Sequence, residues 1–89
     1  MAWTIRFDPR AERELARLDR QVQIRVLRFL RERIAPLADP KELGEALTGP
    51  LRSFWKYRVG SYRVIVDLQH DELVILVVRI GHRGSVYRS

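Results

Sequence analysis

The segment FWKYRVGSYRV, residues 54–64, constrains the fold more than any other part of the chain. Apolar and polar side chains alternate on both sides of Gly60-Ser61, as is typical of strands that are buried on one face. Glycine at the first position of a two-residue loop suits a type II′ hairpin turn. The pattern therefore predicts an antiparallel hairpin in which Arg58 lies directly opposite Arg63.

Residues 54–64 carry three cations, Lys56, Arg58 and Arg63, and no acidic residue. By strand alternation Arg52, Lys56 and Arg58 share one face, and the register brings Arg63 to the same face. Like charges directly opposite each other destabilise a sheet, but an anion held above them would offset that cost. Arginine contacts phosphate with two parallel hydrogen bonds, so a phosphate is the anion we expect. The alternative is a solvated face whose arginines pair with distant carboxylates.

The first half of the chain reads as one strand followed by two helices. Residues 2–7 alternate as a half-buried strand, and Asp8-Pro9 then forms a helix start with Asp8 as the N-cap. Asp19 can cap a second helix, in which apolar residues recur every four positions. Its arginines, 25, 28, 31 and 33, lie on or near the outer face, and Pro36 ends it.

The second half of the chain reads as strands. A loop or short helix over residues 36–50, with Pro40 at a possible helix start, precedes them. Residues 51–59, 62–68 and 73–80 then have strand patterns. The last of these is almost entirely apolar, which predicts a central strand that is buried on both faces. We expect an α+β domain of order β-α-α-β-β-β. Its N-terminal strand joins one side of an antiparallel sheet, and both helices pack on one face.

Composition restricts the class of protein. The 89 residues suffice for one domain, residues 1–89, and 46% are hydrophobic, so the chain should fold. It has no cysteine, which excludes a thiolate nucleophile or thiolate metal site and is compatible with the cytoplasm. The start does not resemble a signal peptide, and the longest apolar run, 73–78, is too short to cross a bilayer. The net charge of +6 has two interpretations, an anionic partner such as a polyanion or an acidic protein, or solubility alone, and composition does not separate them.

The C-terminal segment RIGHRGSVYRS, residues 79–89, adds further candidate residues. Loops that follow a buried strand often carry functional side chains. A lone histidine or tyrosine is usually structural, but here both are expected next to a face with three cations. The candidates in this segment are Arg79, His82, Arg83, Tyr87 and Arg88.

The motifs WKYRVGSYRVIVD and VVRIGHRGSVYR, in this order of elements, resemble the RelE-type toxins of bacterial and archaeal toxin–antitoxin systems, in the RelE/ParE superfamily. The resemblance covers nearly the whole chain. It implies a small RelE-like fold and a ribonuclease that cuts messenger RNA in the ribosomal acceptor site. It also implies a cognate acidic antitoxin that wraps the toxin and neutralises it.

The resemblance also implies roles for individual residues. The family's cationic pair on the strand before the turn corresponds to Lys56 and Arg58, and its arginine on the next strand corresponds to Arg63. Its later arginine and C-terminal tyrosine correspond to Arg83 and Tyr87, and His82 matches the Gly-His-Arg form of the motif. Arg52, Arg79 and Arg88 are further RNA-binding candidates.

The residue types suit RNA cleavage by the 2′-hydroxyl without a metal or other cofactor. Lys56, Arg58 and Arg63 would stabilise the phosphorane. Tyr87 would act as the base, since nearby cations lower the pKa of a phenol. Either His82 or Arg83 would protonate the leaving oxygen, and the sequence leaves that choice open.

Two other functions stay open. A ParE-type toxin has the same fold but acts on DNA gyrase, and such relatives generally lack the full set of cations with tyrosine. A module that binds RNA or antitoxin without catalysis would show strongly salt-dependent binding and no product.

Overall fold

The computed structural model describes residues 2–51 and 53–82, which form one five-stranded sheet with two helices on one face. The strand order is β1-β5-β4-β3-β2. β1 lies at one side of the sheet, parallel to β5, and the other neighbours are antiparallel. The predicted α+β class is confirmed. The elements are β1 Thr4–Phe7, α1 Pro9–Ala16, α2 Arg20–Phe29, β2 Glu45–Ala46, β3 Trp55–Val59, β4 Tyr62–Gln69 and β5 Val74–His82.

Side-chain caps set where the two helices begin. The Asp8 carboxylate accepts a hydrogen bond from the Ala11 amide at 2.9 Å, and Pro9 occupies the first turn of α1. The Asp19 carboxylate accepts from the Gln21 amide at 3.1 Å at the start of α2. α2 runs directly into a π-helical turn, Leu30–Ile34. Within the part of the chain that the structure describes, no helix is long and apolar enough to cross a membrane.

The β3–β4 hairpin has the predicted register. Val59 pairs with Tyr62, and Arg58 pairs with Arg63. Gly60 has φ +62°, while Ser61 is not among the residues with positive φ. Positive φ at the first loop position alone is the signature of a type II′ turn, and it explains why glycine stands there.

The core lies between the sheet and the two helices. Its helix side is formed by the buried Val26, Leu30 and Ile34, which belong to the four-residue apolar repeat. The sheet side includes Val64, Val66, Ile75, Val77 and Ile80, all at most 2% exposed. Tyr57 is also fully buried, and its hydroxyl donates a hydrogen bond to the Pro40 carbonyl at 2.6 Å. This bond ties the 3₁₀ helix Pro40–Leu43, which begins where the sequence predicted, to β3.

Two expectations need correction. β5 lies between β1 and β4 and is an interior strand as predicted, but it is not buried on both faces. Leu76 and Val78 are only half-buried, because both helices cover the same face of the sheet. The short strand β2 was not predicted. It lies within the segment expected to be a loop or short helix, and only two residues pair with β3, too few for an alternation pattern.

Candidate functional site

Three cations lie together on the sheet face that points away from the helices. Lys56 and Arg58 project from β3 and Arg63 from β4, while the intervening Tyr57 and Val64 are buried in the core. We call the surface formed by Lys56, Arg58 and Arg63 the cation face. The hairpin register holds these side chains in neighbouring positions, as the sequence predicted.

A β-bulge in β5 decides which of its residues extend this face. Ile65 pairs with Arg79 and Val66 with Val77, so Val78 is an extra residue on β5. From Arg79 onward, this extra residue reverses which side chains of β5 point to each face of the sheet. Arg79 and Gly81 consequently share the face of Arg63, and Gly81 lies directly opposite Arg63. The cation face therefore borders a position that has no side chain.

The cations have partners within the chain. Arg58 forms an exposed ion pair with Glu45 of β2, with Nε and Oε1 3.5 Å apart. Arg63 donates from Nη1 to the carbonyls of Gly60 at 3.0 Å and Tyr62 at 2.9 Å. The Arg58–Glu45 pair agrees with the alternative interpretation of the hairpin, in which its arginines pair with carboxylates distant in sequence. An exposed ion pair contributes little free energy, so an incoming phosphate can displace Glu45 at little cost.

A fourth arginine reaches the hairpin from the helix layer. A Cβ built on Gly60 would lie 3.0 Å from Nη1 of Arg25 and 3.2 Å from its Cζ, so this guanidinium packs against the turn. Arg25 was predicted on or near the outer face of α2, and it is exposed. No sequence pattern indicated its contact with the turn, because the contact depends on how α2 packs over β3.

Glu14 of α1 covers an open edge of the sheet next to this site. β1 pairs with β5 only as far as Val77, after which the Asp8 amide donates to the Val77 carbonyl at 3.0 Å and the chain turns into α1. Beyond that point the Glu14 carboxylate accepts from the Ile80 amide at 2.8 Å and from Nε of Arg79 at 3.0 Å. Arg79 is thus held in an ion pair beside the cation face. Its proposed role in RNA binding requires it to release or share Glu14.

Removing this carboxylate should loosen the end of β5. We expect Glu14→Ala to lower the free energy of unfolding by about 2 kcal/mol, because it removes the acceptor of the Ile80 strand amide and the carboxylate that is ion-paired with Arg79. Urea denaturation measures the change, and amide hydrogen exchange at Ile80 should accelerate. Glu72→Ala, at an exposed turn position, is the matched control and should change stability by less than about 0.5 kcal/mol. Equal stability of the two variants would contradict this role for Glu14.

The other predicted site residues divide into two groups. His82 is exposed at the end of β5, pairs with Tyr62 across the strands, and contacts the Tyr62 ring edge-to-face with 5.4 Å between ring centroids. Its backbone is next to the pair formed by Arg63 and Gly81, but by strand alternation its side chain shares the helix-side face of Tyr62, opposite to the cation face. A role for His82 at the cation face therefore requires its side chain to reach around the end of β5. The remaining predicted residues lie outside the described residues: Arg52, Arg83, Tyr87 and Arg88.

Sequence reasoning missed Glu45, Glu14 and Arg25. Each contacts the hairpin or β5 from an element distant in sequence, so no local spacing marks it.

Within residues 2–51 and 53–82, no group of three or more histidines and carboxylates is arranged to hold a metal ion.

Comparison with known proteins identifies the family. The family model for the ParE toxin of type II toxin–antitoxin systems matches residues 5–87. Toxin RelG of Mycobacterium tuberculosis is 26% identical over 88 residues, covering 99% of each chain. The toxin–antitoxin complex RelBE2 of M. tuberculosis contains a chain with a similar fold, with a TM-score of 0.84, 24% identity and 93% coverage of both chains. The isolated RelE toxin of E. coli gives a TM-score of 0.73 at 23% identity, with 97% of this chain and 92% of that chain covered. The chain belongs to the ParE toxin family of type II toxin–antitoxin systems, within the RelE/ParE superfamily.

Proposed function

We propose that this toxin is a metal-independent endoribonuclease that cleaves messenger RNA in the ribosomal acceptor site and thereby arrests translation. The observation that supports this most is the direct opposition of Arg58 and Arg63 across the hairpin, with Lys56 on the same face. Three cations on an exposed sheet surface suit a phosphate whose charge increases in the transition state. The basic composition, with a sequence pI of about 10.7, agrees with a polyanionic substrate.

The proposed reaction uses the RNA's own 2′-hydroxyl. Its oxygen attacks the adjacent phosphorus and forms a 2′,3′-cyclic phosphate while the bond from phosphorus to the 5′-oxygen breaks. Tyr87 as phenolate would accept the 2′-hydroxyl proton, and His82 or Arg83 would donate a proton to the leaving 5′-oxygen. Lys56, Arg58 and Arg63 would stabilise the pentacovalent phosphorane. Arg52, Arg79 and Arg88 would contact neighbouring phosphates of the RNA.

We further propose that an acidic antitoxin neutralises the toxin. Several of the similar structures are toxin–antitoxin complexes, among them RelBE2 of M. tuberculosis and RelBE of E. coli. An acidic partner would match the net charge of +6 and would compete with RNA for the same cations.

Induction of this chain in a bacterium, followed by mapping of RNA 5′ ends, tests the proposal. One transcript is made in a translated form and in a form without a start codon. Cuts confined to the translated copy, at a fixed position within codons, are expected. The new ends should carry 5′-hydroxyl groups and so be captured only after treatment with a polynucleotide kinase. Cuts in both copies would contradict dependence on the ribosome.

The match to the ParE family favours one alternative, inhibition of DNA gyrase. Growth arrest with both transcripts intact and with gyrase-dependent DNA breaks would establish that alternative. Growth arrest with intact transcripts and intact DNA would instead indicate a module that binds without cutting. Both outcomes would overturn the ribonuclease proposal.

A further inference from the structure

A glycine lies on β5 at the position directly opposite Arg63. Gly81 is part of the strand and pairs with β4, although glycine within a strand weakens it. Positive φ occurs at Gly49 and Gly60 but not at Gly81, so its backbone conformation is open to other residue types. The backbone angle therefore does not explain the glycine. A strand glycine of this kind is typical of a site where a ligand approaches the backbone closely.

Two arginines flank Gly81 on the same face of the sheet. Arg63 lies across from it on β4, and Arg79 lies two residues before it on β5. The Cβ atoms of directly opposite residues in an antiparallel pair are about 4.5–5.5 Å apart. A side chain at position 81 would therefore stand beside Arg63 and occupy the surface between the two arginines.

Both arginine side chains are anchored away from Gly81. Arg63 donates from Nη1 to two carbonyls at the hairpin turn, at 3.0 and 2.9 Å, so its guanidinium lies on the β4 side, toward the turn. Arg79 donates from Nε to Glu14 at 3.0 Å, so its guanidinium lies toward the open edge of β5. The backbone at Gly81 is consequently bordered by one guanidinium on each side.

An RNA strand suits this arrangement. It carries a negative charge at every nucleotide, and contacts between cations and its phosphates fix its position on a protein. A strand whose scissile phosphate lies over Lys56, Arg58 and Arg63 reaches Arg79 by crossing β5 at Gly81. The crossing brings ribose and phosphate against bare backbone, where a side chain would hold them off.

We propose that Gly81 is the crossing point at which the sugar–phosphate backbone of single-stranded RNA passes over β5, from Arg63 to Arg79. This inference rests on the proposed ribonuclease function and adds to it the path of the substrate across the sheet. Gly81 takes no part in proton transfer. It keeps the path open, so that the scissile phosphate reaches the cation face in the reactive position.

Substitutions of increasing size at this position test the path. Gly81→Ala and Gly81→Val are compared with the wild-type chain by single-turnover cleavage on programmed ribosomes, and the stability of each is measured by urea denaturation. Thr4→Ile is the matched control, because it adds apolar bulk at an exposed position on β1, on the same face of the sheet. The double variant Gly81→Val with Arg79→Ala shows whether both positions act on the same stretch of RNA.

We expect the cleavage rate constant to fall about tenfold for Gly81→Ala and about 100-fold for Gly81→Val, because a displacement of about 1 Å at the reacting phosphate is sufficient for such a loss. Both variants should be at least as stable as the wild type, since a Cβ favours the extended strand. Thr4→Ile, remote from the path, should change the rate less than about twofold. In the double variant the losses should be less than additive, because a strand displaced from Gly81 no longer reaches Arg79.

A wild-type rate for Gly81→Val would overturn the crossing point and leave the ribonuclease function in place. A loss of stability that parallels the loss of rate would show that the chain itself needs this surface, and would overturn the inference as well. Fully additive losses in the double variant would also overturn it, because they would separate Gly81 from the path to Arg79. Absence of cleavage by the wild-type chain would overturn the proposed function, on which the inference rests.

Discussion

An Arg63→Ala variant is expected to cleave ribosome-bound messenger RNA about 100- to 1,000-fold more slowly than the wild-type chain, because it removes a preorganised cation from the phosphorane. The Arg63 guanidinium is already oriented by its two bonds to the turn carbonyls. A guanidinium has five N–H donors, so these two bonds leave donors for a phosphate. Single-turnover cleavage on programmed ribosomes measures the effect, which should appear in the rate constant rather than in ribosome affinity.

The sheet offers a matched control for this experiment. Arg6 on β1 is exposed and pairs with Leu76 of β5, which in turn pairs with Asp67 of β4. Because Asp67 and Arg63 are on the same face of β4, Arg6 also lies on that face of the sheet. Arg6→Ala therefore removes an arginine from the same sheet face, two strands away from the hairpin, and should leave the rate within about twofold of the wild type. Arg63→Lys keeps the charge but loses the planar guanidinium, so its cleavage rate should lie between the rates of Arg63→Ala and Arg6→Ala. Equal rates for Arg63→Ala and Arg6→Ala would refute the role of the cation face.

The second large effect concerns stability. Tyr57→Phe is expected to lower the free energy of unfolding by about 1–3 kcal/mol, because it leaves the Pro40 carbonyl without the hydroxyl that now donates to it. Urea denaturation at neutral pH measures the change. Tyr62→Phe is the control, since Tyr62 is only half-buried, and it should cost less than about 0.5 kcal/mol. Similar losses in both variants would contradict the importance of the buried bond.

Tyr57 also makes stability depend on alkaline pH. Burial raises the pKa of its phenol well above the ordinary value of 10.0, and the Asp39 carboxylate raises it further. Above about pH 10 the unfolded chain therefore releases this proton while the folded chain keeps it, so stability falls as pH rises. For this single group the slope approaches about 1.4 kcal/mol per pH unit. Tyr57→Phe should lack this part of the slope, and parallel curves for the two proteins would show that Tyr57 does not cause it.

The hairpin and the helix starts were predictable because their causes are local. Alternating side chains and the glycine at position 60 set the register that brings Arg58 opposite Arg63. Asp8 and Asp19 cap helices through amides two or three residues away. Such contacts depend on neighbours in the sequence, so a pattern of residue types is sufficient to indicate them.

The surroundings of the site were not predictable in this way. Glu45 reaches Arg58 only because β2 adds to the edge of β3, and Glu14 reaches Arg79 only because β1 ends before β5 does. The bulge at Val78 depends on how β5 aligns with β4. Each of these contacts joins elements that are far apart in the chain, and their relative placement follows from packing of the whole core.

The residue pattern alone was enough to specify the hairpin, its three cations and the segments that become helices, because the energies involved act between near neighbours. Folding of the complete domain brought Glu45 beside Arg58 and Arg25 to the turn, and left Ile24 and Leu27 outside the core. These outcomes depend on which faces of the helices and the sheet pack together. That packing is determined by burial of apolar side chains over the whole core, not by neighbouring residues in the sequence.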